Sequence, residues 1–209
     1  MGYDVERWKN RMSQRSDMTG FLTHLTRAAL DTNGKVTMDT TDVLLKILRE
    51  QKINGSTTAS GFIVGPDKAV CFQDAPLYGI TQNVLHEQTQ RKDLGGKIRY
   101  RASGLLFTKL DLFRAGARPV IYEKTEVAKE FLHKDEWYKI VNLDFSDNEK
   151  IIDWTHEREW RIKGDFYFNL SQATVLLPNK IAYKKFVENT DDTILSEIAG
   201  IVTMNNIIY

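Results

Sequence analysis

The chain has 209 residues, of which 42% are hydrophobic and 27% are charged, and its formal net charge is +1. This composition is typical of a globular protein that buries its own core, and the near-zero charge excludes a general attraction to nucleic acid or membrane. A single cysteine, Cys71, excludes an internal disulfide and a cysteine-based zinc site. No apolar run reaches the ~20 residues of a membrane span, and the start lacks the apolar core of a signal peptide, so we expect a cytoplasmic protein.

The first third of the chain predicts a helix, a strand and a second helix. Val5, Trp8 and Met12 recur at helical spacing, so residues 4 to 15 are predicted to be helical, and residues 1 to 18 to dock as an N-terminal helix. Residues 21 to 27 alternate as a strand does, which places His24 on one face with the neighbours two positions away. A histidine in this position is either a site residue or a satisfied core residue. Residues 42 to 52 read as an amphipathic helix after a turn.

The middle and C-terminal parts predict many short elements. Strands are expected over residues 62 to 64, 69 to 72, 98 to 108, 118 to 122 and 173 to 177. Helices are expected over residues 78 to 92, 110 to 116, 126 to 131, 181 to 188 and 194 to 199. Residues 137 to 145 are ambiguous between helix and strand, and residues 200 to 203 begin a last strand or a tail. Short strands with scattered helices favour one α+β domain over residues 1 to 209.

The most distinctive stretch runs from Trp154 to Lys163. Period-two alternation predicts a strand with Glu157, Glu159 and Arg161 on one face and the apolar Trp160 and Ile162 on the other. Two carboxylates beside a guanidinium indicate a site. A solvated strand face with a weak ion pair is the alternative explanation.

Two further features bear on ligand binding. Arg99 and Arg101 share one face of a predicted strand, where they are placed either to hold a pyrophosphate or simply to balance surface charge. Cys71 has no basic cluster near it in sequence, so a small buried apolar role is favoured over a nucleophile.

The order of the motifs is more informative than any motif alone. A Thr-His-Leu-Thr strand at residues 23 to 26 is followed by Val-Cys-Phe-Gln-Asp-Ala-Pro at 70 to 76, Gly-Leu-Leu-Phe at 104 to 107, Gly-Ala-Arg-Pro-Val-Ile-Tyr at 116 to 122 and Glu-Arg-Glu-Trp-Arg at 157 to 161. This order resembles the AbiGi-type abortive-infection family of phage-resistance proteins. It is more distantly similar to DarT-type DNA ADP-ribosyltransferases, which also open with a His-x-Thr strand.

The resemblance implies an ADP-ribosyltransferase-like fold, in which a split β-sheet core with surrounding helices encloses an NAD cleft. It implies that His24 contacts the nicotinamide-side ribose, with Thr26 beside it, and that the acidic motif supplies the catalytic glutamate. Either Glu157 or Glu159 fits this role, and we favour Glu159 because the residues that follow match the family pattern. Arg27, Arg99, Arg101 and Arg161 are the expected cofactor-binding arginines, with NAD as the substrate.

Two departures keep other functions open. Arg101 lies where the family often has a Tyr-Gly pair before the Gly-x-x-Phe strand, and the AbiGi-type group includes antitoxin-like partners, so the resemblance does not imply catalysis.

The first hypothesis is an enzyme of phage–host conflict that transfers ADP-ribose to a nucleic acid or protein acceptor. The second is a non-catalytic module that binds a protein partner, either antitoxin-like or as an inhibitor of a defence. The third is a nuclease in which Asp153, Glu157 and Glu159 bind Mg²⁺.

Overall fold

A computed structural model of the chain describes residues 2–90 and 101–208. It shows a mixed α+β architecture with one large sheet and several helices. The helices are α1 (Val5–Ser13), α2 (Thr40–Glu50), α3 (Leu77–Thr89), α4 (Lys109–Arg114), α5 (Thr125–Phe131), α6 (Lys180–Asn189), α7 (Asp192–Glu197) and α8 (Asn205–Ile208). Within the described ranges, none of these helices is both long and apolar enough to cross a membrane.

Most of the strands belong to one sheet. The strands are β1 (Phe21–Leu25), β2 (Ala29–Leu30), β3 (Val36–Met38), β4 (Lys52–Ile53), β5 (Ala69–Gln73), β6 (Gly104–Thr108), β7 (Arg118–Pro119), β8 (Ile121–Glu123), β9 (Ile140–Asn142), β10 (Glu159–Lys163), β11 (Phe166–Tyr167), β12 (Thr174–Leu177) and β13 (Gly200–Thr203). The large sheet has the order β13-β12-β6-β1-β5-β10-β7. Its pairs are antiparallel except β12 with β13, which is parallel.

One face of this sheet carries the main core. Phe72 of β5 and Phe107 of β6 contact each other and Phe166 edge to face, and Phe107 also contacts Phe168, with ring centroids 5.1–6.3 Å apart. Such contacts add to the free energy gained by burying the rings. Apolar side chains of α2 and α6, with Phe186 fully buried, cover this face. The core therefore fixes the positions of β1, β5 and β10, which carry the candidate site residues.

On the opposite face of the same strands, one row of neighbouring side chains is polar. Thr23 lies opposite Gln73, and Gln73 lies opposite Glu159, so these three residues of β1, β5 and β10 share a face. All three are buried, with 1%, 8% and 6% of their surface exposed. A buried polar row in the middle of a sheet requires partners or a ligand on that face.

The sheet is weakest between β1 and β5. These strands have one registered pair, Thr23 with Gln73, whereas β1 and β6 are in register over all of β1. Beyond that pair, the ring of His24 rather than a backbone N–H reaches the carbonyl of Cys71. The two strands therefore diverge, and a cavity lies along the opening.

Most predicted elements are confirmed to within a few residues. The N-terminal helix is present and contacts the sheet region where Trp8 approaches Gly20, and Met12 is buried. Asp39 caps α2 by accepting from the backbone N–H groups of Thr41 and Asp42. Residues 200 to 203 form a strand, and the ambiguous residues 137 to 145 divide into a 3-10 helix and β9.

Three predictions at the element level are wrong or fall outside the described residues. Residues 62 to 64 form no strand, because the chain there makes a series of bends around Gly61 and Gly65, both of which have positive φ. The predicted strand over 118 to 122 is two strands in different sheets, separated at Val120. The start of the strand predicted over 98 to 108 lies outside the described residues, and β6 begins at Gly104.

The position of β1 depends on a close backbone approach at Gly104. A Cβ atom there would overlap the carbonyl oxygen of His24. We expect Gly104→Ala to lower the free energy of unfolding by about 2–3 kcal/mol, the usual cost of overpacking, in chemical denaturation. Gly79→Ala is the matched control, because a Cβ within α3 meets nothing within 4 Å, and it should leave stability unchanged or raise it by up to about 1 kcal/mol. Equal effects of the two changes would contradict the packing argument.

Candidate functional site

A cavity of about 510 Å³ lies where β1 and β5 diverge. Its walls come from β1, α2, β5, β9, the loop over residues 54 to 64 and the segment from Trp154 to Arg161. Its volume is in the range of small-molecule and cofactor sites. Six of the residues predicted from the sequence line this cavity: His24, Thr26, Arg27, Glu157, Glu159 and Arg161.

Two further arginines were predicted to bind the cofactor. Arg101 is exposed and does not line the cavity. Arg99 lies outside the described residues. Among the predicted arginines that the structure describes, Arg27 is both exposed and at the cavity.

Glu159 and Arg161 form a buried ion pair on one face of β10. Nε of Arg161 donates to one carboxylate oxygen at 2.8 Å, and Nη2 donates to the other at 3.0 Å. The side chains are 6% and 3% exposed. Two parallel charge-assisted hydrogen bonds of this kind hold both groups in a fixed geometry.

The other hydrogens of Arg161 are also used. Nη1 donates to the carbonyl oxygens of Tyr138 and Ile140 at 2.6 and 3.1 Å, and Nη2 donates to that of Phe62 at 3.1 Å. A guanidinium has five N–H donors, and all five have partners here. Arg161 therefore ties β10 to β9 and to the loop at Phe62, and it has no donor left for a phosphate. This argues against its predicted role in binding the cofactor.

The main chain of Glu159 is fixed as firmly as its side chain. Its N–H donates to the hydroxyl of Tyr122 at 2.7 Å, and its carbonyl accepts from Val120 at 3.0 Å. Burial raises the pKa of Tyr122 to about 12, so the hydroxyl remains protonated. With both oxygens bound to Arg161, Glu159 is placed to supply negative charge and position rather than to exchange protons.

Glu157 does not continue the strand, which corrects the predicted shared face of the three charged residues. It ends a 3-10 helix (Thr155–Glu157), and Arg158 follows in a left-handed conformation with φ of 46°. A single left-handed residue reverses the local chain direction, so the period-two pattern begins only at Glu159. Glu157 nevertheless lines the cavity beside Glu159.

Asp74 holds the turn that carries Glu157. Its backbone N–H donates to the Glu157 carbonyl at 3.1 Å. Its carboxylate accepts from Nε1 of Trp160 at 3.1 Å and pairs with Nζ of Lys109 at 2.8 Å. On the other side, Arg158 donates to the carbonyl of Asp17 at 2.6 Å. The left-handed turn is therefore fixed by contacts on both flanks, which is typical of strained residues at functional sites.

The Glu157 carboxyl is protonated at neutral pH. Burial, reinforced by the negative charge of Glu159, raises its pKa from the ordinary 4.5 to about 8. Its side chain makes no hydrogen bond or ion pair with the part of the chain that the structure describes. A carboxyl in a cavity with a pKa near the working pH is suited to acid–base chemistry.

One ring nitrogen of His24 is available to accept a hydrogen bond. Nδ1 lies 2.9 Å from the carbonyl oxygen of Cys71, and since a carbonyl only accepts, Nδ1 carries the proton. Burial lowers the pKa of the ring, so it is neutral and Nε2 has a free lone pair. Its ring also meets Phe72 edge to face at 5.8 Å, which fixes its orientation. His24 is therefore an oriented hydrogen-bond acceptor at the cavity.

Thr26 and Cys71 have structural roles. The Thr26 hydroxyl and backbone N–H both donate to the Ser103 carbonyl, at 3.2 and 2.8 Å, which ends β1 against the residue before β6. Burial raises the pKa of the Cys71 thiol well above its ordinary value, so the thiol stays protonated and is a poor nucleophile. This agrees with the apolar role predicted for Cys71.

Several cavity residues were not predicted. Trp154, Gln73 and Asn142 line it, and Val43 and Ile47 of α2 form part of its apolar wall. Gln73 and Asn142 end short strands, a position where polar side chains often reach a site. No local sequence pattern distinguishes them from the polar residues of ordinary loops. Across residues 2–90 and 101–208, no three histidine, cysteine, aspartate or glutamate side chains are grouped to hold a metal ion.

The ion pair predicts a large stability effect. Arg161→Ala should lower the free energy of unfolding by about 3–5 kcal/mol, because it leaves the Glu159 carboxylate buried without its partner. Arg49→Ala is the control, since its pair with Asp191 is more than half exposed on both sides and should cost at most about 1 kcal/mol. Urea denaturation of both variants tests this, and similar small losses would contradict a central role for the pair.

The raised pKa of Glu157 predicts a pH dependence of stability. Between pH 4.5 and about 8 the folded state binds more protons than the unfolded state, so the free energy of unfolding falls as pH rises through this window. The slope is at most about 1.4 kcal/mol per pH unit, reduced by the partial exposure of the carboxyl. Glu157→Gln should remove this contribution to the slope. The stability of the variant relative to the unchanged protein should therefore be greater at pH 9 than at pH 5.

Denaturation at pH 5, 7 and 9 measures this difference, with Glu126→Gln on the exposed side of α5 as the control. Parallel pH profiles of the unchanged protein and Glu157→Gln would show that Glu157 titrates alike in the folded and unfolded states.

No protein-family model matches this chain, and no curated protein and no solved structure matches it either. The function proposed below therefore rests on the geometry of the cavity and on the residue pattern of the chain.

Proposed function

We propose that this protein is an NAD-dependent ADP-ribosyltransferase-like enzyme that binds NAD in the cavity between β1 and β5. The observation that carries the proposal is the meeting of His24 and Glu157 in that one cavity of about 510 Å³. An oriented hydrogen-bond acceptor and a carboxyl with a perturbed pKa are the groups that chemistry at a ribose requires. β1 and β5 are neighbours in one seven-stranded sheet and share a single registered pair, so the split sheet that the resemblance implies stays a prediction.

The reaction breaks the bond between C1′ of the ribose and N1 of nicotinamide. The bonding electron pair goes to N1, which neutralises the pyridinium ring, and positive charge develops at C1′. The negative charge of Glu159, fixed by Arg161, stabilises that positive charge without the need to reorganise. Glu157 acts in this step as the carboxylate, after it has released its own proton to solvent. The acceptor's lone pair forms the new bond at C1′, and the acceptor's proton passes to that carboxylate.

His24 fits the ribose in this scheme. Its Nε2 lone pair accepts a hydrogen bond from a ribose hydroxyl, while Nδ1 is held by Cys71. Because the ring is neutral, it places no second positive charge beside the developing one at C1′. Arg27, exposed at the cavity, is the arginine placed to contact the pyrophosphate.

The sequence favoured Glu159 as the catalytic glutamate, and the geometry supports a division of roles instead. Glu159 has both oxygens bound to Arg161, whereas the Glu157 side chain has no partner within the described ranges. We therefore assign proton transfer to Glu157 and electrostatic stabilisation to Glu159. The acceptor in this proposal is a nucleic acid or a protein, and the resemblance places the enzyme in phage–host conflict.

A second function has its own supporting observation. A module that binds a ligand or a protein partner without catalysis requires no mobile carboxylate, and Glu159 is fully engaged by Arg161. In this alternative the buried pair is structural, and the cavity serves recognition alone. The antitoxin-like or defence-inhibitor role falls in this class.

Isothermal titration of NAD, with nicotinamide release measured in parallel, separates the two functions. We expect saturable binding that weakens at least about tenfold in His24→Ala, the loss expected for one hydrogen bond in a buried site. Glu157→Gln should retain NAD binding and lose nicotinamide release by about 100-fold or more, in line with removal of an acid–base group.

Arg101→Ala is the matched control for the arginines, because this residue does not line the cavity, and Arg27→Ala should weaken NAD binding where Arg101→Ala does not. Binding without release in the unchanged protein would favour the non-catalytic module. Absence of binding at millimolar NAD, with the protein folded by circular dichroism, would refute the enzyme and favour the module that binds a protein partner.

A further inference from the structure

Two buried polar side chains at the junction of β1 and β5 have no partner within the sheet. Oγ1 of Thr23 is fully buried and makes no hydrogen bond with any residue in the ranges 2–90 and 101–208. The side-chain amide of Gln73 also makes none with these residues, although only 8% of the Gln73 surface is exposed. A buried polar group without a partner is costly, so a native structure that retains one needs a reason for it.

Of these two groups, the Gln73 amide is the one that a ligand can reach, because the Thr23 oxygen is covered. Gln73 ends β5, lies opposite Thr23 on one side and opposite Glu159 on the other, and lines the cavity. Side chains directly opposite each other in a sheet have Cβ atoms about 4.5–5.5 Å apart, so a glutamine can turn to a threonine hydroxyl. Gln73 and Thr23 do not hydrogen-bond to each other, which leaves the Gln73 amide available to a group in the cavity.

We propose that Gln73 recognises a primary carboxamide on the ligand of this cavity. The side-chain amide of a glutamine carries N–H donors and a carbonyl acceptor in one plane. A ligand carboxamide carries the same set, so an N–H group of each amide can donate to the carbonyl oxygen of the other. Two parallel hydrogen bonds of this kind satisfy both amides and fix the orientation of the ligand, as they do in other planar pairs.

The same geometry disfavours two close relatives of the amide. A ketone keeps the carbonyl acceptor but has no N–H group to donate to the Gln73 carbonyl oxygen, which would stay buried and unpaired. A carboxylate would set one of its own oxygens against that carbonyl oxygen. It would also lie beside the carboxylate of Glu159, which is in register with Gln73.

The wall of the cavity suits a flat ring that carries the amide. Ile140 and Val141 of β9 are buried and supply aliphatic surface at the cavity, and a ring packed there removes apolar area from water. The inference rests on the proposed function in one respect, because the nicotinamide of NAD is a flat ring with a primary carboxamide. It adds Gln73 as the residue that selects this carboxamide.

The probes are nicotinamide and 3-acetylpyridine, two neutral rings of similar shape that differ by an NH2 group in place of a methyl group. Saturation-transfer NMR titrations measure the affinity of each for the full chain at pH 7. In the unchanged protein we expect nicotinamide to bind about tenfold more tightly or better, the effect of a buried carbonyl that loses its donor. The nicotinate anion should bind more weakly than either neutral ring.

Gln73→Met removes the amide and keeps an unbranched side chain of similar length. We expect this variant to bind nicotinamide and 3-acetylpyridine equally, which is the signature of a lost pairwise interaction. Its midpoint of urea unfolding should be unchanged or higher, because an amide without a protein partner contributes nothing to the fold. Thr23→Val is the matched control from the same row. It removes a covered hydroxyl at constant shape, so it should keep the preference for nicotinamide.

Equal affinity of the unchanged protein for the two neutral probes would overturn the inference, and so would a preference that persists in Gln73→Met. Loss of folding in Gln73→Met, or loss of the preference in Thr23→Val as well, would show a structural role for the row and would also overturn it. The proposed function fails separately. A preference that depends on Gln73, without NAD binding, supports the inference and rejects the enzyme, whereas NAD binding and nicotinamide release that are unaltered in Gln73→Met do the reverse.

Discussion

The buried pair of Glu159 and Arg161 is the interaction on which the rest of the site depends. Burial of two charges is costly, and the cost is offset here because both carboxylate oxygens and all five guanidinium hydrogens have partners. Three of these hydrogen bonds go to backbone carbonyls outside β10, so one side chain joins the strand to β9 and to the loop at Phe62. The carboxylate of this pair also places a fixed negative charge near Glu157. Stability and electrostatics thus come from the same two residues, and a change in one alters both.

Burial determines the state of Glu157 more than Arg161 does. The charge of Arg161 lowers the pKa of the Glu157 carboxyl, but all five N–H donors of Arg161 are bound to other partners. Burial and the charge of Glu159 therefore dominate, and the pKa of Glu157 rises to about 8. Two carboxyls two positions apart in sequence are in this way given different surroundings, because Glu159 is bound to Arg161 and Glu157 is not. This is the arrangement by which enzymes assign one carboxyl to charge stabilisation and another to proton transfer.

Sequence patterns predicted what depends on local periodicity. The alternation from Glu159 to Lys163 correctly placed Glu159 and Arg161 on one face and Trp160 and Ile162 on the other. The site role of His24 came from the family resemblance and stays a prediction. The turn at Arg158 was not predictable, because its left-handed conformation depends on contacts with Asp17 and Asp74, which are distant in sequence. The hydrogen bonds from Arg161 to backbone carbonyl oxygens were equally unpredictable, because every residue type carries a backbone carbonyl. The cavity residues contributed by α2 and β9 depend on packing alone.

The open junction between β1 and β5 explains how a sheet accommodates this site. A continuous ladder would pair the backbone of His24 and its neighbours with β5 and leave no space between the strands. Instead the His24 ring takes up the Cys71 carbonyl, so the strand separation does not leave that acceptor unpaired. The tight contact of Gly104 with the other side of β1 holds the strand against β6 and away from β5. The result is a poorly paired junction and, within residues 2–90 and 101–208, a Glu157 carboxyl with no hydrogen-bond partner. Since neither feature stabilises the fold, both are better explained by a ligand that occupies the opening.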